Sequence, residues 1–352
     1  MTTDLFVFGG TAPVPPSCRR PPAPLPAWTT SGAHTAVLEL PVLEPRAPVT
    51  RIIPALSVLT DREHSFGFEA QAAGSSGWTG LSPVGPRPFP LRPAADPALT
   101  EEIDVYTASP PVTGVRLRLR IHSPDLTTVC RAETLITVSL SDSTAPRDGP
   151  ADGRAQLDVP ALSQMETPDA IRQRICSPTC VAMVLGYWRR PVAPVELASE
   201  MFDPRHDLYG VWPAAIRAAA RRGVHGYLLR FPSWAAATWC LDHGVPVIAS
   251  VRYAAGELRG AAIESTAGHL LVLTGYDRET VFVNDPAAQV AREVPRRYAL
   301  ADIERVWLHR TGVGYVLFDP PAADPEALSR SPQATRPLSS KPRSPSGRSR
   351  RR

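Results

Sequence analysis

The sequence predicts an α+β domain preceded by an all-β sandwich domain, and three observations carry that prediction. Between about residues 34 and 142, apolar and polar residues alternate in twos, punctuated by Gly, Pro, Asp and Ser. Beyond residue 155 the apolar spacing becomes helical, and the helical segments come before the strands, which is α+β organisation. Proline, 40 of 352 residues, crowds into the first thirty positions, residues 83–97 and the chain end, where it marks segments outside the regular elements. The expected divisions are a disordered Pro-rich head (1–30), a β-sandwich (31–144), a linker (145–154), the α+β domain (155–320) and a disordered basic tail (321–352). Hydrophobic residues make up 43% of the chain, enough for a core in each domain.

In the first domain, Val37, Ile52, Phe66 and Phe68, and Ile103 and Val105 mark strands, followed by VRLRLRIHS and TLITVSLSD. The cleanest is VRLRLRI, with Val115, Leu117, Leu119 and Ile121 facing inward and Arg116, Arg118 and Arg120 facing water. One-sided sheets of this kind bury themselves as a sandwich. Trp78, near a turn in GSSGWTG, is a candidate ligand contact, although core or edge packing is the commoner role for such a residue. A glycan or protein ligand is the partner class such a domain would take.

In the second domain, SPTCVAMVLGYW places Cys180, Met183, Val184 and Tyr187 on one helix face, with Val181 and Leu185 beside them, so this helix is buried nearly all round. Pro178 is tolerated only in a first turn, which puts the helix start at about Ser177 or Pro178 and Cys176 at its tip. Further helices are expected at about 194–202, 211–222 and 233–243, then strands VPVIASVRY, GHLLVLTGY, TVFVNDP and VGYVLF.

The charge is less basic than it looks. Seven cations (Arg336, Lys341, Arg343, Arg348, Arg350, Arg351 and Arg352) lie in the last 22 residues without an acid, so the net +4 leaves about −3 for the rest. Such a body is unsuited to wrapping nucleic acid. No segment has the apolar length of a membrane span. Asp4 stands where a signal peptide needs basic residues and LFVFGG is too short for its apolar region, so a cytoplasmic location is expected, with secretion open if the start codon lies elsewhere. Five scattered cysteines are no disulfide framework.

The chemistry concentrates on Cys176. At a helix tip a thiol feels the positive end of the dipole and free N–H groups, which lower its pKa. Cys180, one turn inside an apolar helix, is expected to stay a neutral thiol. A thiolate nucleophile needs a histidine, and the histidine a group to hold it. His269 opens one strand and Asp285 closes the next, with their midpoint at Asp277 in an evident turn; a hairpin centred there sets the two opposite each other on one face. Taken singly, His269 also reads as a rim residue and Asp285 as a turn former. His34, His64, His122, His206, His225, His243 and His309 have no comparable setting in the sequence. Zinc binding by Cys176 and Cys180 with Cys240 and His243 is the other chemical class, and the apolar helical setting argues against it. No cofactor or metal is expected.

These residues resemble a known family. LSQM (162–165), CSPTCVAMVLGYW (176–188), YGVWPAAIRAAARRG (209–223), GVPVIASV (244–251), GHLLVLTGYD (268–277) and VNDPA (283–287) are similar, in order and spacing, to the papain-like cysteine peptidases of the bacteriocin-processing, double-glycine leader type, particularly stand-alone bacterial forms. The resemblance implies Cys176 as nucleophile, His269 as base and acid, Asp285 as its orienting group and Gln164 as oxyanion donor together with the Cys176 N–H. It implies hydrolysis of a peptide or amide bond in a peptide or protein substrate. A silent binding protein on the same fold, or an acyl transferase, are the alternatives. Two departures stand out: Cys180 occupies a usually non-reactive position and leaves room for a Cys176–Cys180 disulfide, and the chain has neither spans nor a phosphate-binding GxxxxGK[ST] loop, so leader processing is not the expected task.

Overall fold

A computed structural model describes residues 1–87, 89–91, 94–150 and 152–320. The first half contributes ten strands: β1 (Thr3–Phe8), β2 (Thr29–Thr30), β3 (Thr35–Glu39), β4 (Val49–Val58), β5 (Ser65–Ala72), β6 (Thr79–Gly80), β7 (Leu99–Glu101), β8 (Tyr106–Val112), β9 (Val115–His122) and β10 (Thr134–Ser141). They form two antiparallel five-stranded sheets, ordered β1-β10-β4-β8-β7 and β2-β3-β9-β5-β6. A short helix, α1 (Leu126–Arg131), starts where Asp125 accepts the Thr128 N–H and links β9 to β10. The sheets share one apolar core, and the buried Tyr106 hydroxyl of the first donates to the Phe68 carbonyl of the second at 2.8 Å.

Along β9 the alternation holds: Val115, Leu117, Leu119 and Ile121 are fully buried. The arginines between them do not simply face water. Arg118 and Arg120 both reach the buried Glu69 carboxylate, at 2.6 and 3.0 Å, and Arg118 lies 4.5 Å over the Trp78 ring. Trp78 is half-buried, with one face of its ring against the arginines of β9. Ile103 and Val105 lie in the turn between β7 and β8, not in a strand.

The expected disordered head is instead built into the fold. β1 pairs along its length with β10, and residues 18–23 run beside its other edge through Leu5 N–H to Cys18 O and Ala23 N–H to Val7 O. The prolines there supply an edge that cannot recruit another strand. Asp4, buried, accepts the Arg46 backbone N–H at 2.7 Å and its Nε at 2.6 Å. Leu5, Val7, Val14 and Cys18 pack in one apolar core with Tyr227, Phe231 and Trp234 from the second half. Composition suggested disorder because proline density reports missing donors, not the apolar residues between them.

The second half carries β11 (Arg154–Gln156), β12 (His225–Arg230), β13 (Val247–Tyr253), β14 (Thr266–Asp277), β15 (Thr280–Asn284), β16 (Pro295–Ala299) and β17 (Val313–Phe318) in one antiparallel sheet, ordered β12-β17-β13-β14-β15-β16 with β11 on the end of β14. Its helices are α2 (Cys176–Tyr187), α3 (Pro194–Met201), α4 (Trp212–Ala220), α5 (Trp234–Asp242) and α6 (Leu300–Ile303). Pro194 and Pro213 open α3 and α4 in the first turn, where a missing N–H is harmless. α2 packs on α3, α4 and β14, and all its residues from Ser177 to Leu185 are buried.

The two halves belong to one compact unit, Met1–Pro320. β4 and β10 pack on β12, where the buried Ser57 hydroxyl meets His225 Nδ1 at 2.9 Å and His225 Nε2 meets Glu133 at 3.1 Å. Arg217 of α4 donates to His64 O at 3.1 Å. The presumed linker is also tied down: Gly149 N–H donates to Glu304, and Asp148 pairs with His309 at 2.6 Å. The basic tail, 321–352, lies outside the described residues. No helix among the described residues is long and apolar enough to cross a membrane.

Candidate active site

α2 begins one residue earlier than Ser177, so Cys176 is its first helical residue, with Ile175 preceding it and no side chain capping the end. The first N–H to bond back is that of Thr179, to Ile175 O at 3.0 Å, which leaves the N–H groups of Cys176 and Ser177 ahead of the ladder. Both cysteines of this stretch are free thiols, not a disulfide. Cys176 is half-buried at the cleft, whereas Cys180 is fully buried and donates to Leu270 O at 3.3 Å.

His269 and Asp285 meet: Nε2 lies 2.8 Å from Oδ1, with His269 4% and Asp285 0% exposed. The register differs from the expected one. The turn is Arg278–Glu279, with Asp277 opposite Thr280, and a bulge at Thr274 shifts the ladder so that Val272 faces Asn284. Continued, that register sets Asp285 against Leu271, so His269 is its diagonal neighbour on the same face rather than its direct partner. Asp285 also accepts the Ala287 N–H at 3.1 Å and the Tyr298 hydroxyl at 3.0 Å. Tyr298 sits on β16, opposite Val281. Neither β16 nor this tyrosine was legible in the sequence, because PRRYA has no alternation to mark it.

The electrostatics follow from these contacts. Burial pushes the Cys176 thiol up, but the His269 hydrogen bond and charge, helped by the Leu270 and Ser177 N–H groups, hold it below its ordinary value of 9.0. With Nε2 on Asp285, Nδ1 is the nitrogen left for the thiol. Burial opposes the charged form of His269, yet the Asp285 carboxylate and Cys176 raise it to about 10. Burial likewise opposes the Asp285 carboxylate, and the His269 charge and the three donors bring it below the ordinary carboxylate value. Cys180 goes the other way: burial, then Cys176 and Asp285, push it well above 9.0.

A histidine beside a carboxylate is not by itself distinctive here. His206 meets Asp203 at 3.2 Å, His309 meets Asp148, and His225 has both a serine and a glutamate. His225 therefore has a setting the sequence did not reveal, but Ser57 is 0% exposed and lines none of the main cavities. His269 alone among these four lines a cavity together with a thiol. That cavity, about 500 Å³, is bounded by Gln173, Arg174, Tyr209, Trp212 and Ser250 besides Cys176 and His269. It is of the size that holds a ligand.

Gln164 is not on the cleft wall. It opens a short turn of helix, is buried, and spends one Nε2–H on Arg172 O at 2.7 Å, while its Oε1 is buried without a partner. Its segment is fastened beside the site through Ser163 Oγ–H to Ala288 O and Gln164 N–H to Pro286 O at 2.9 Å. Cys240, on α5, belongs to a different apolar core from Cys180, and His243, just beyond α5, is exposed. No group of three or more metal-ligating side chains occurs among the described residues.

Residues 156–315 match the model of the peptidase C39-like family. Solved structures similar to the chain include a double-glycine-motif protease from an AMS/PCAT transporter, determined with its leader peptide (18% identity, 49% of this chain and 98% of that one, TM-score 0.33). A protein of Bacillus anthracis assigned to the C39-like peptidases is similar at 18% identity over 47% of this chain and 98% of that one, TM-score 0.36. The peptidase domain of Streptococcus ComA, a bifunctional ABC transporter of a quorum-sensing pathway, is similar at 16% identity over 46% and 99%, TM-score 0.33. No curated protein matches. The family match falls on the segment that carries α2, β14 and β15, and residues 156–315 of this chain, an α+β domain preceded by two antiparallel sheets, belong to the peptidase C39-like family.

Proposed function

We propose that the chain is a cysteine peptidase or amidase that hydrolyses a peptide or amide bond through an acyl-enzyme. The observation that carries this reading is the buried His269–Asp285 pair, 2.8 Å apart, beside a helix-tip thiol in an open cleft. Thiol and imidazole are arranged as thiolate and imidazolium, the pair that the shifts of Cys176 below and His269 above their ordinary values favour. The Cys176 sulfur attacks the carbonyl carbon, forming a C–S bond and an oxyanion. Collapse breaks the C–N bond, and His269 gives its Nδ1 proton to the leaving amine. His269 then takes a proton from water as it attacks the thioester, and the acid departs with the thiolate restored. Asp285 holds Nε2–H, so the ring keeps Nδ1 for the thiol and for water.

The oxyanion is met by the Cys176 N–H at the α2 terminus, and the second Nε2–H of Gln164 becomes the further donor when its side chain turns from its buried place toward the cleft. The substrate is a peptide or protein segment able to enter a cleft of about 500 Å³. One observation favours a second reading, a silent binding protein on the same fold: Gln164 stands off the cleft with one donor already engaged by Arg172 O. Incubation with a mixed peptide library, followed by mass spectrometry of products and intact protein, separates the two. Hydrolysis with a transient acyl adduct on Cys176 is expected; peptide binding without products or adduct would replace this reading by the second.

A further inference from the structure

The first half of the chain reaches the cleft. Between β7 and β8 the Glu102 N–H bonds to Val105 O at 2.9 Å, a tight turn that leaves Ile103 and Asp104 outside the ladder. Both residues line the cavity of Cys176 and His269. Both also line a second cavity of about 690 Å³, which runs between Arg51 and Val105 of the first half and Tyr253, Thr266 and Thr311 of the second. Trp212 and Arg252 are the other residues common to the two cavities, so the chambers meet at this point. The wall is fixed, since the two halves share an apolar core and the Ser57–His225 and Arg217–His64 bonds.

Most charges in these chambers are satisfied by neighbours. Arg51 pairs with Glu102, Arg174 with Asp207, Arg310 with Glu257, and His309 with Asp148. Asp104 and Arg252 have no ion-pair partner among the described residues. Arg252 is exposed, as unpaired arginines commonly are, whereas Asp104 is half-buried between the halves. One Asp104 oxygen, Oδ2, accepts the Trp212 N–H at 3.0 Å; Oδ1 accepts from no other side chain or backbone N–H among the described residues apart from Asp104's own. A half-buried carboxylate with an open oxygen at the junction of two ligand-sized cavities is a recognition element in search of a cation or a strong donor.

We propose that the N-terminal β-region forms part of the substrate site, and that Asp104 is a specificity-determining residue that receives a basic side chain of an extended peptide lying across the two chambers. This rests on the peptidase reading only for its consequence in turnover; the binding itself is independent of it. Burial raises the Asp104 carboxyl to about 7 against the pull of the Trp212 N–H, with Glu102 adding to the rise and the Asp104 backbone N–H and His206 opposing it. The carboxylate is thus mostly charged at pH 8 and largely protonated at pH 5.5, so recognition of a cation is present at the higher pH and lost at the lower.

The test uses the full chain carrying Cys176→Ala, which removes turnover. Binding is measured by fluorescence anisotropy for fluorescein-labelled degenerate decapeptides with either lysine or norleucine fixed at each position in turn. At pH 8 lysine is expected to bind about tenfold more tightly than norleucine at one position, with the ratio near one at pH 5.5. Adding Asp104→Asn, which keeps an acceptor for Trp212 N–H, should bring the pH 8 ratio to about one. A lysine preference that survives Asp104→Asn, or no preference at any position, overturns the proposal. If Asp104→Asn does not fold, the pH dependence decides: a ratio unchanged between pH 8 and 5.5 overturns it equally. Hydrolysis by the unmodified protein is scored separately, so loss of the peptidase reading would appear as absent products with the binding ratio intact.

Discussion

Cys176 and Cys180 are the same side chain on the same helix, four residues apart, and they sit in opposite electrostatic worlds. Cys176, at the uncapped end of α2, has N–H groups, an imidazole and a cleft around it, and its proton is loosened. Cys180, one turn inside, has apolar neighbours and one carbonyl, and its proton is held. The difference teaches that a reactive thiol is made by helix position and by a second element arriving at the tip, not by the helix sequence alone. β14 brings His269 to the end of α2 and the carbonyl of the next residue, Leu270, to its interior.

Substitutions break this comparison in a graded way. Cys176→Ala should abolish turnover, a loss of about 10⁴-fold or more, with unfolding midpoints close to the parent; retained turnover in a steady-state assay would remove the proposed mechanism. Asp285→Asn should cost about 10³-fold, mostly in kcat, and should also move the pH at which Cys176 is alkylated upward, since the imidazolium that favours the thiolate loses its carboxylate. A KM effect alone, with the alkylation profile unmoved, would reduce Asp285 to a structural turn. Gln164→Ala should lower kcat by about 10²-fold; an unchanged kcat would confine it to its buried contact with Arg172. Tyr298→Phe, which removes one of three donors on Asp285, should cost about tenfold or less in kcat. Cys180→Ser should change turnover by about threefold at most, because the hydroxyl inherits the Leu270 carbonyl as acceptor; a loss matching that of Cys176→Ala would reverse the comparison.

The elements around Cys176 were legible because the signals are local. Pro178 fixes the start of α2 to within a residue, and the apolar runs fix β13, β14, β15 and β17. The face shared by His269 and Asp285 was also legible, since it depends only on even spacing across a hairpin. Their direct opposition was not, because the bulge at Thr274 carries no sequence mark. What escaped altogether comes from distant chain: Tyr298 on an unpatterned strand, Asp104 from the other half, and the head. Asp4 looked like a charge in a disordered leader, yet it is buried on Arg46, and proline-rich composition says nothing about such tertiary satisfaction. Gln164 entered only through family resemblance, because nothing in LSQM marks a buried side chain fastened to Arg172.

The central claim is that the helix tip and the histidine pair make one thiol reactive and leave the other inert. Alkylation with iodoacetamide near pH 6, stopped at short times and mapped by peptide mass spectrometry, tests it most directly. Cys176 should be modified far faster than Cys18, Cys130, Cys180 and Cys240, all of which burial holds at or above the ordinary thiol value. Modification of Cys180 first, or no cysteine reacting faster than an ordinary thiol at that pH, would contradict the account.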